Sequence, residues 1–446
     1  MSIVLQFSCL ICASPRLRAQ MGPRTGWECA YYGQRYPVHV SRSNWPRVRV
    51  ALAVVACLAW VRSAEAQHWP DAPVSLAGGH VLVAGDVSAT FGSEDPGWFT
   101  YTDYQTSAIR RARAGVTVEA RASDRLAFLT ELRAETGAGA SAYAWYVRLS
   151  PFASGLVDIQ AGRIPPVFGT YARRNYPQDN PLIGDPLGYQ YLTTARPDAV
   201  PATADELLRM RARGWRVRYS VGDPAPEPGV PVIAAGRWDT GVQVRVGSRV
   251  LEAAAAWTAG TLSYPLVRDN NRGGQFAGRV VWRPVPAFSI GASAARGAWV
   301  TDAVMGARAD MPDGRYDQRA VGLDGEASWG RWLLRGELVS NTWTLPALDV
   351  PRIVEPLTAM TGYVEVKVRV SPRLYVAARG DSLRFSDITG SAVTNTWDAN
   401  VSRVEIGAGY TIRRGLIVKA SLMNNRRDGG LVQTSPLAAV QVLFWF

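Results

Sequence analysis

Residues that make and break bonds are scarce in this chain. It has three histidines in 446 residues, and beyond residue 66 only His68 and His80 remain. A hydrolase needs a base set against its nucleophile, most often histidine, and neither residue has neighbours that build a Ser-His or His-Asp pair. The four cysteines, Cys9, Cys12, Cys29 and Cys57, all precede residue 67, so no Cys/His cluster is left in the remainder to suggest a metal. Asp269-Asn270-Asn271 could at most touch a calcium ion. No catalytic group, metal or cofactor is expected. Fixed charge is plentiful instead: 49 basic residues include only Lys367 and Lys419 as lysines, so nearly all the positive charge is guanidinium. Arg111, Arg113 and Glu119 alternate along one stretch, Lys367 and Arg369 along another, and one long polar segment holds Arg173, Arg174, Arg209, Arg211 and Arg213. Such groups attract, orient or repel ions and polar solutes.

The elements that must position these charges have a period of two. In Tyr363-Val-Glu-Val-Lys-Val-Arg-Val370 the valines share one face, and Glu365, Lys367 and Arg369 share the other. The same alternation appears around Arg111 to Glu119, Val242 to Val246 and Arg403 to Tyr410, and it recurs from Val81 onward in segments of about ten residues. A soluble sandwich would alternate in the same way, so connection lengths carry the decision. Short turns fall at Ala122-Ser123-Asp124, Gly247-Ser248, Pro284-Val285-Pro286, Gly330, Ser371-Pro372 and Arg413-Arg414-Gly415. Long polar connections fall near 92–107, 165–212, 261–272, 300–317, 344–358 and 386–400. From Gly247 onward short and long alternate, as in a barrel with tight turns on one rim and large loops on the other. Trp282, Trp329 and Trp332 sit beside short turns, where an interfacial aromatic girdle would lie.

The one helical apolar run lies early. Arg47 and Arg49 precede Val50 to Val61, and Ala64-Glu65-Ala66 follows, the order of a secretory signal peptide cut before Gln67. Residues 47–66 are therefore expected to be that signal, and 1–46 an upstream extension or a mis-assigned translation start. Residues 1–66 carry eight arginines and two acids, half of the formal charge of +12. No basic block stands out in the remainder, which with export argues against a nucleic-acid partner.

The chain ends Ala438-Ala439-Val440-Gln441-Val442-Leu443-Phe444-Trp445-Phe446. An A-x-A leader, a cysteine-free remainder, alternating strands throughout and a final strand ending in Phe resemble the outer-membrane β-barrel proteins of Gram-negative bacteria, porin-like channels in particular. The resemblance implies an all-β fold: one transmembrane antiparallel up-and-down barrel at 67–446, with long external loops and short periplasmic turns. It also implies outer-membrane lipids and small hydrophilic solutes as partners, homotrimeric assembly, and Phe444 and Phe446 as a signal read by the barrel-assembly machinery. An even strand number is required. It is 16 if Trp215-Arg-Val-Arg-Tyr219 belongs to the preceding loop, and 18 if that stretch pairs with Val230 to Ala235. The expected function is passive diffusion with a weak anion preference, the 165–212 connection folding into the pore as the constriction. Thr203-Ala-Asp-Glu206 reads as a capping box opening a helix that stops at Gly214. The alternative is a non-conducting barrel with a structural or adhesive role, its long connection serving as an external lid or partner-contact loop.

Overall fold

The computed structural model describes residues 70–446, except 71, 103–106, 138, 153–154, 272 and 313. The expected signal peptide at 47–66 and the expected upstream extension at 1–46 lie outside the described residues.

Sixteen long antiparallel strands, each bonded to the next, form the wall. They are β1 Val81–Gly92, β2 Ala112–Ser123, β3 Leu126–Glu135, β4 Gly139–Leu149, β5 Val157–Ile164, β6 Asp239–Gly247, β7 Leu251–Thr258 and β8 Gln275–Val285. The second half comprises β9 Phe288–Ala298, β10 Asp317–Trp329, β11 Trp332–Trp343, β12 Leu357–Arg369, β13 Leu374–Phe385, β14 Val401–Arg413, β15 Leu416–Arg427 and β16 Thr434–Trp445. β16 closes on β1, with Asp86 opposite Trp445 and Gly92 opposite Ala439. Closure leaves no open edge, which a backbone in hydrocarbon requires.

Burial along each strand separates a membrane barrel from a sandwich. Val364 is 61% exposed and its neighbour Glu365 3%; Val404 is 60% exposed and Glu405 0%. The apolar face points away from the molecule and the charged face into it, the reverse of a soluble fold. Among the described residues no helix is long and apolar enough to cross a membrane. Trp282, Trp329 and Trp332 lie outward at the short-turn rim, with the last two stacked 6.3 Å apart.

Connections on one rim are short: 124–125, 150–156, 248–250, 286–287, 330–331, 370–373 and 414–415. Gly330 and Gly415 supply positive φ in two of these turns. The other rim carries 93–111, 165–238, 259–274, 299–316, 344–356, 386–400 and 428–433, together with one short connection at 136–138. Two expectations need correction here. The longest connection runs to 238, not 212, and no barrel strand interrupts it. Its helix, α1 Ala204–Met210, stops before Gly214, with Ala212 at φ 64° behind it. Gly214 permits a close approach instead, since a Cβ there would lie 1.7 Å from the carbonyl oxygen of Leu192. The Trp215 to Tyr219 stretch lies in this connection, bridged at Val217 to Glu227, so the count is 16.

Candidate functional site

The 165–238 connection leaves β5 through Pro165-Pro166 and turns into the barrel. Gly169 has φ 67°, and a Cβ there would fall 2.3 Å from Oε1 of Glu337, so glycine lets the chain touch the wall. Its amide donates to Oγ of Ser293 (3.1 Å), its carbonyl accepts from Arg279, and the Thr170 amide donates to Oε1 of Glu337 (3.1 Å). Tyr189 donates to the other Glu337 oxygen at 2.7 Å.

The next twenty residues reach across the lumen. Tyr176 donates to Glu131 on β3 at 2.7 Å, and Arg113 on β2 reaches the carbonyl of Asn175 at 3.3 Å. Lys419 on β15 donates to the carbonyls of Pro177 and Asn180, and Tyr375 on β13 donates to Pro181 at 2.9 Å. Glu405 on β14 accepts the amides of Ile183 (3.1 Å) and Gly184 (3.0 Å), while Asp381 accepts that of Leu187 at 3.2 Å. Arg379 and Arg403 donate to the carbonyls of Gly184 and Asp185 at 2.7 and 2.9 Å. Backbone groups that would be unsatisfied away from water and away from a sheet are thus satisfied by wall side chains.

The wall charges are also paired with one another. Arg379 meets Asp381 (3.2 Å), Glu365 (3.4 Å) and Glu405 (2.7 Å), with all four side chains at most 4% exposed. Arg133 bonds Glu131 at 2.8 Å and lies 3.3 Å from the centroid of Tyr143. Above this layer the connection builds an apolar body in which Ala199, Val200, Val217 and Val232 are fully buried against Trp299, Trp343 and Trp397. Thr203 caps α1 through the Glu206 amide (3.1 Å), and Glu206 returns to the amide of Ala202 at 2.7 Å. Asp398, in the 386–400 connection, accepts the amides of Thr194, Ala212 and Ala399 at 2.9, 2.9 and 2.7 Å. Burial pushes its carboxyl up to about 6 against the pull of those amides.

The residues singled out from the sequence divide into three groups. Arg113, Arg173 and Arg174 lie within the lumen. Arg113 is 2% exposed beside Asp86 and Glu135, and Arg174 pairs with Glu326. Arg173 gives its Nε to the carbonyl of Pro166 at 2.7 Å and leaves Nη2 buried without a hydrogen-bond partner. Burial first, then the nearby guanidiniums of Arg245 and Arg279, push its pKa down to about 9. Arg111 pairs with Glu135 at 3.6 Å, near the long-loop end of β2.

The second group lies toward the short-turn rim. Glu119 accepts from Arg121 and Arg148 at 2.7 and 2.9 Å, Lys367 sits 4.3 Å from the ring centroid of Tyr375, and Arg369 is exposed. The third group is not brought to the wall layer. Arg209 and Arg213 line a cleft of about 540 Å³ with Glu206, Arg218 and Tyr219, and Arg211 bonds Thr396 and Asp428 on neighbouring loops. Asp381, Asp398, Tyr176 and Tyr189 join the site without having stood out in the sequence, as does Lys419, which was notable there only as one of two lysines. Lys419 was readable as a polar-face residue of β15; the loop residues had no periodic signal. Among the described residues no three His, Cys, Asp or Glu side chains are grouped to hold a metal ion.

A closed 16-strand barrel with an outward apolar band and an inward charged wall crossed by a bonded loop has the fold of the porin-like outer-membrane β-barrels. Among solved structures the chain is similar to OmpF of Salmonella typhi in complex with daunomycin, at 14% identity over 82% of this chain and 97% of that one, with a TM-score of 0.51. It is similar as well to OmpT, an outer membrane protein of Vibrio cholerae, at 11% identity over 83% and 99% of the two chains and a TM-score of 0.49. A third is an anion-selective porin from Comamonas acidovorans, at 11% identity over 82% and 99% and a TM-score of 0.47. No protein-family model matches the chain, and no curated protein matches it. At these identities the likeness is one of fold.

Proposed function

We propose that the protein is an outer-membrane channel for passive diffusion of small hydrophilic solutes, narrowed by the 165–238 connection, with a weak preference for anions and no enzymatic activity. The observation that carries this reading is the loop bonded across the inside of a closed barrel through Glu131, Glu337, Arg379 and Glu405. The anion preference is supported by Arg173, buried with an unpartnered Nη2 and with Arg245 and Arg279 nearby, and by exposed Arg209, Arg213 and Arg218 around the outer cleft. We further propose that 47–66 is a cleaved export signal, that Phe444 and Phe446 are read by the assembly machinery, and that the barrel assembles as a trimer, as one Vibrio cholerae OmpT structure is described.

The second reading, a barrel that does not conduct, draws support from the apolar body that the connection packs between Trp299, Trp343 and Trp397. Planar-bilayer recording of the refolded 67–446 protein under a salt gradient separates the two. Discrete conductance steps with a small anion-favouring reversal potential are expected. A barrel folded by circular dichroism and electrically silent would sink the channel reading and leave the loops as the functional surface.

A further inference from the structure

Among the described outward positions of the sixteen strands, Asp317 is the one carboxylate. It accepts from Nε of Arg296 at 2.6 Å and Nε of Arg315 at 2.7 Å, and Nη2 of Arg319 lies 4.0 Å away. Three guanidiniums on one carboxylate leave an excess of positive charge among the described residues. Arg296 on β9 and Arg319 on β10 stand directly opposite each other and are 59% and 60% exposed. Like charges so placed repel and weaken the strand pair, and Asp317, shared among three guanidiniums, offsets only part of that repulsion.

What lies beneath this pair is shaped for a chain. In the same cross-strand row, Phe276 faces Arg296 and Trp257 faces Phe276. Two residues nearer mid-strand the row reads Ala255, Gly278, Ala294 and Val321, each paired to the next. Bulky side chains above small ones leave an outward groove of about 830 Å³, within the size range of small-ligand sites. Arg163, Arg384 and Arg426, also outward, fall at this long-loop rim as well, while the opposite rim carries Trp282, Trp329 and Trp332 and a single outward arginine, Arg413, over the ring of Phe444.

We propose that this face holds a phosphorylated lipid, its headgroup phosphate between Arg296 and Arg319 and an acyl chain in the groove over Gly278 and Ala294. Guanidinium pairs suit phosphate oxygens. A second copy of the chain is a poorer occupant, because its strand faces present no carboxylate other than Asp317, which its own arginines cover.

The test is native mass spectrometry of the folded protein in neutral detergent, incubated with phosphatidic acid or phosphatidylcholine of equal chain length, with inorganic phosphate as competitor. Folding of each variant is verified by heat-dependent gel migration. Selective retention of phosphatidic acid is expected, reduced roughly tenfold in R296Q/R319Q and unchanged in R384Q/R426Q. Ala294→Trp, which fills the groove and keeps both guanidiniums, should also reduce it. Equal retention of the two lipids, or no effect of R296Q/R319Q or Ala294→Trp, would overturn the proposal. Full displacement by millimolar inorganic phosphate would assign the arginines to a free anion, and concentration-dependent dimers that shed lipid would assign the face to a second copy; either defeats it.

Discussion

Glu405 joins wall and loop on a single carboxylate. Oε1 takes the amides of Ile183 and Gly184, and Oε2 takes Arg379 at 2.7 Å, all out of contact with water. Truncation would strand two buried amides and remove one of three carboxylates facing Arg379. Breaking a buried ionic network costs about 3 kcal/mol or more. Glu405→Ala should therefore loosen the 182–185 segment, seen as faster proteolysis of the long connection and a larger, noisier conductance, with Glu405→Gln milder because an acceptor remains. Wild-type proteolysis rates in Glu405→Ala would remove Glu405 as the anchor. Arg173→Ala probes selectivity instead. Its guanidinium is buried beside two others, so its loss should move the reversal potential toward cations with little change in loop protection; an unmoved potential would deny it a part in ion preference.

Docking of the whole 165–238 connection is a property of the element, and Asp398 makes it depend on pH. Its carboxyl is raised from an ordinary 3.8 to about 6 while it clamps the amides of Thr194 and Ala212. Between those values the docked form keeps a proton that an undocked, solvated form has lost. Docking is therefore favoured at acid pH and weakens as pH rises from about 4 through 6, by roughly 3 kcal/mol in all. Open-state occupancy in bilayer recordings should rise over that interval and be flat in Asp398→Asn; a wild-type profile already flat would exclude Asp398 as the titrating clamp. This element was also the least legible in the sequence. Strands such as β12 were readable because lipid outside and charge inside impose a period of two. The stretch Trp215 to Tyr219 carries the same period, with Val217 and Tyr219 buried and Arg216 and Arg218 exposed, yet forms no barrel strand. Inside the barrel the loop and wall side chains replace a sheet as partner, so extended chain can alternate without belonging to the wall. Gly169, Gly214 and Gly229 were opaque for a related reason: each glycine is demanded by an approach from a distant part of the chain.

At the scale of the molecule, Phe446 extends the closing seam by one further residue pair. Phe446 donates its amide to the carbonyl of Gly85 at 3.0 Å and accepts the Gly85 amide at 3.2 Å, completing the ladder between β16 and β1. Its ring lies where a Gly85 side chain would stand, 2.8 Å from an ideal Cβ, so glycine on the first strand and phenylalanine at the end are complementary. Losing the ring should cost about 2–4 kcal/mol if the seam limits barrel stability. Gly85→Val should be destabilising in the wild-type background through overpacking and much less so beside Phe446→Ala, whose missing ring leaves room for it. A double-mutant cycle on urea unfolding in lipid vesicles, followed by tryptophan fluorescence, measures that coupling, expected near 1–3 kcal/mol for residues in contact. The same variants divide closure from recognition. Purified Phe446→Ala that refolds with only the cycle's penalty, yet fails to reach the outer membrane in cells, would assign the terminal ring to the assembly machinery as well as to the seam. Equal losses in both settings would confine it to the seam.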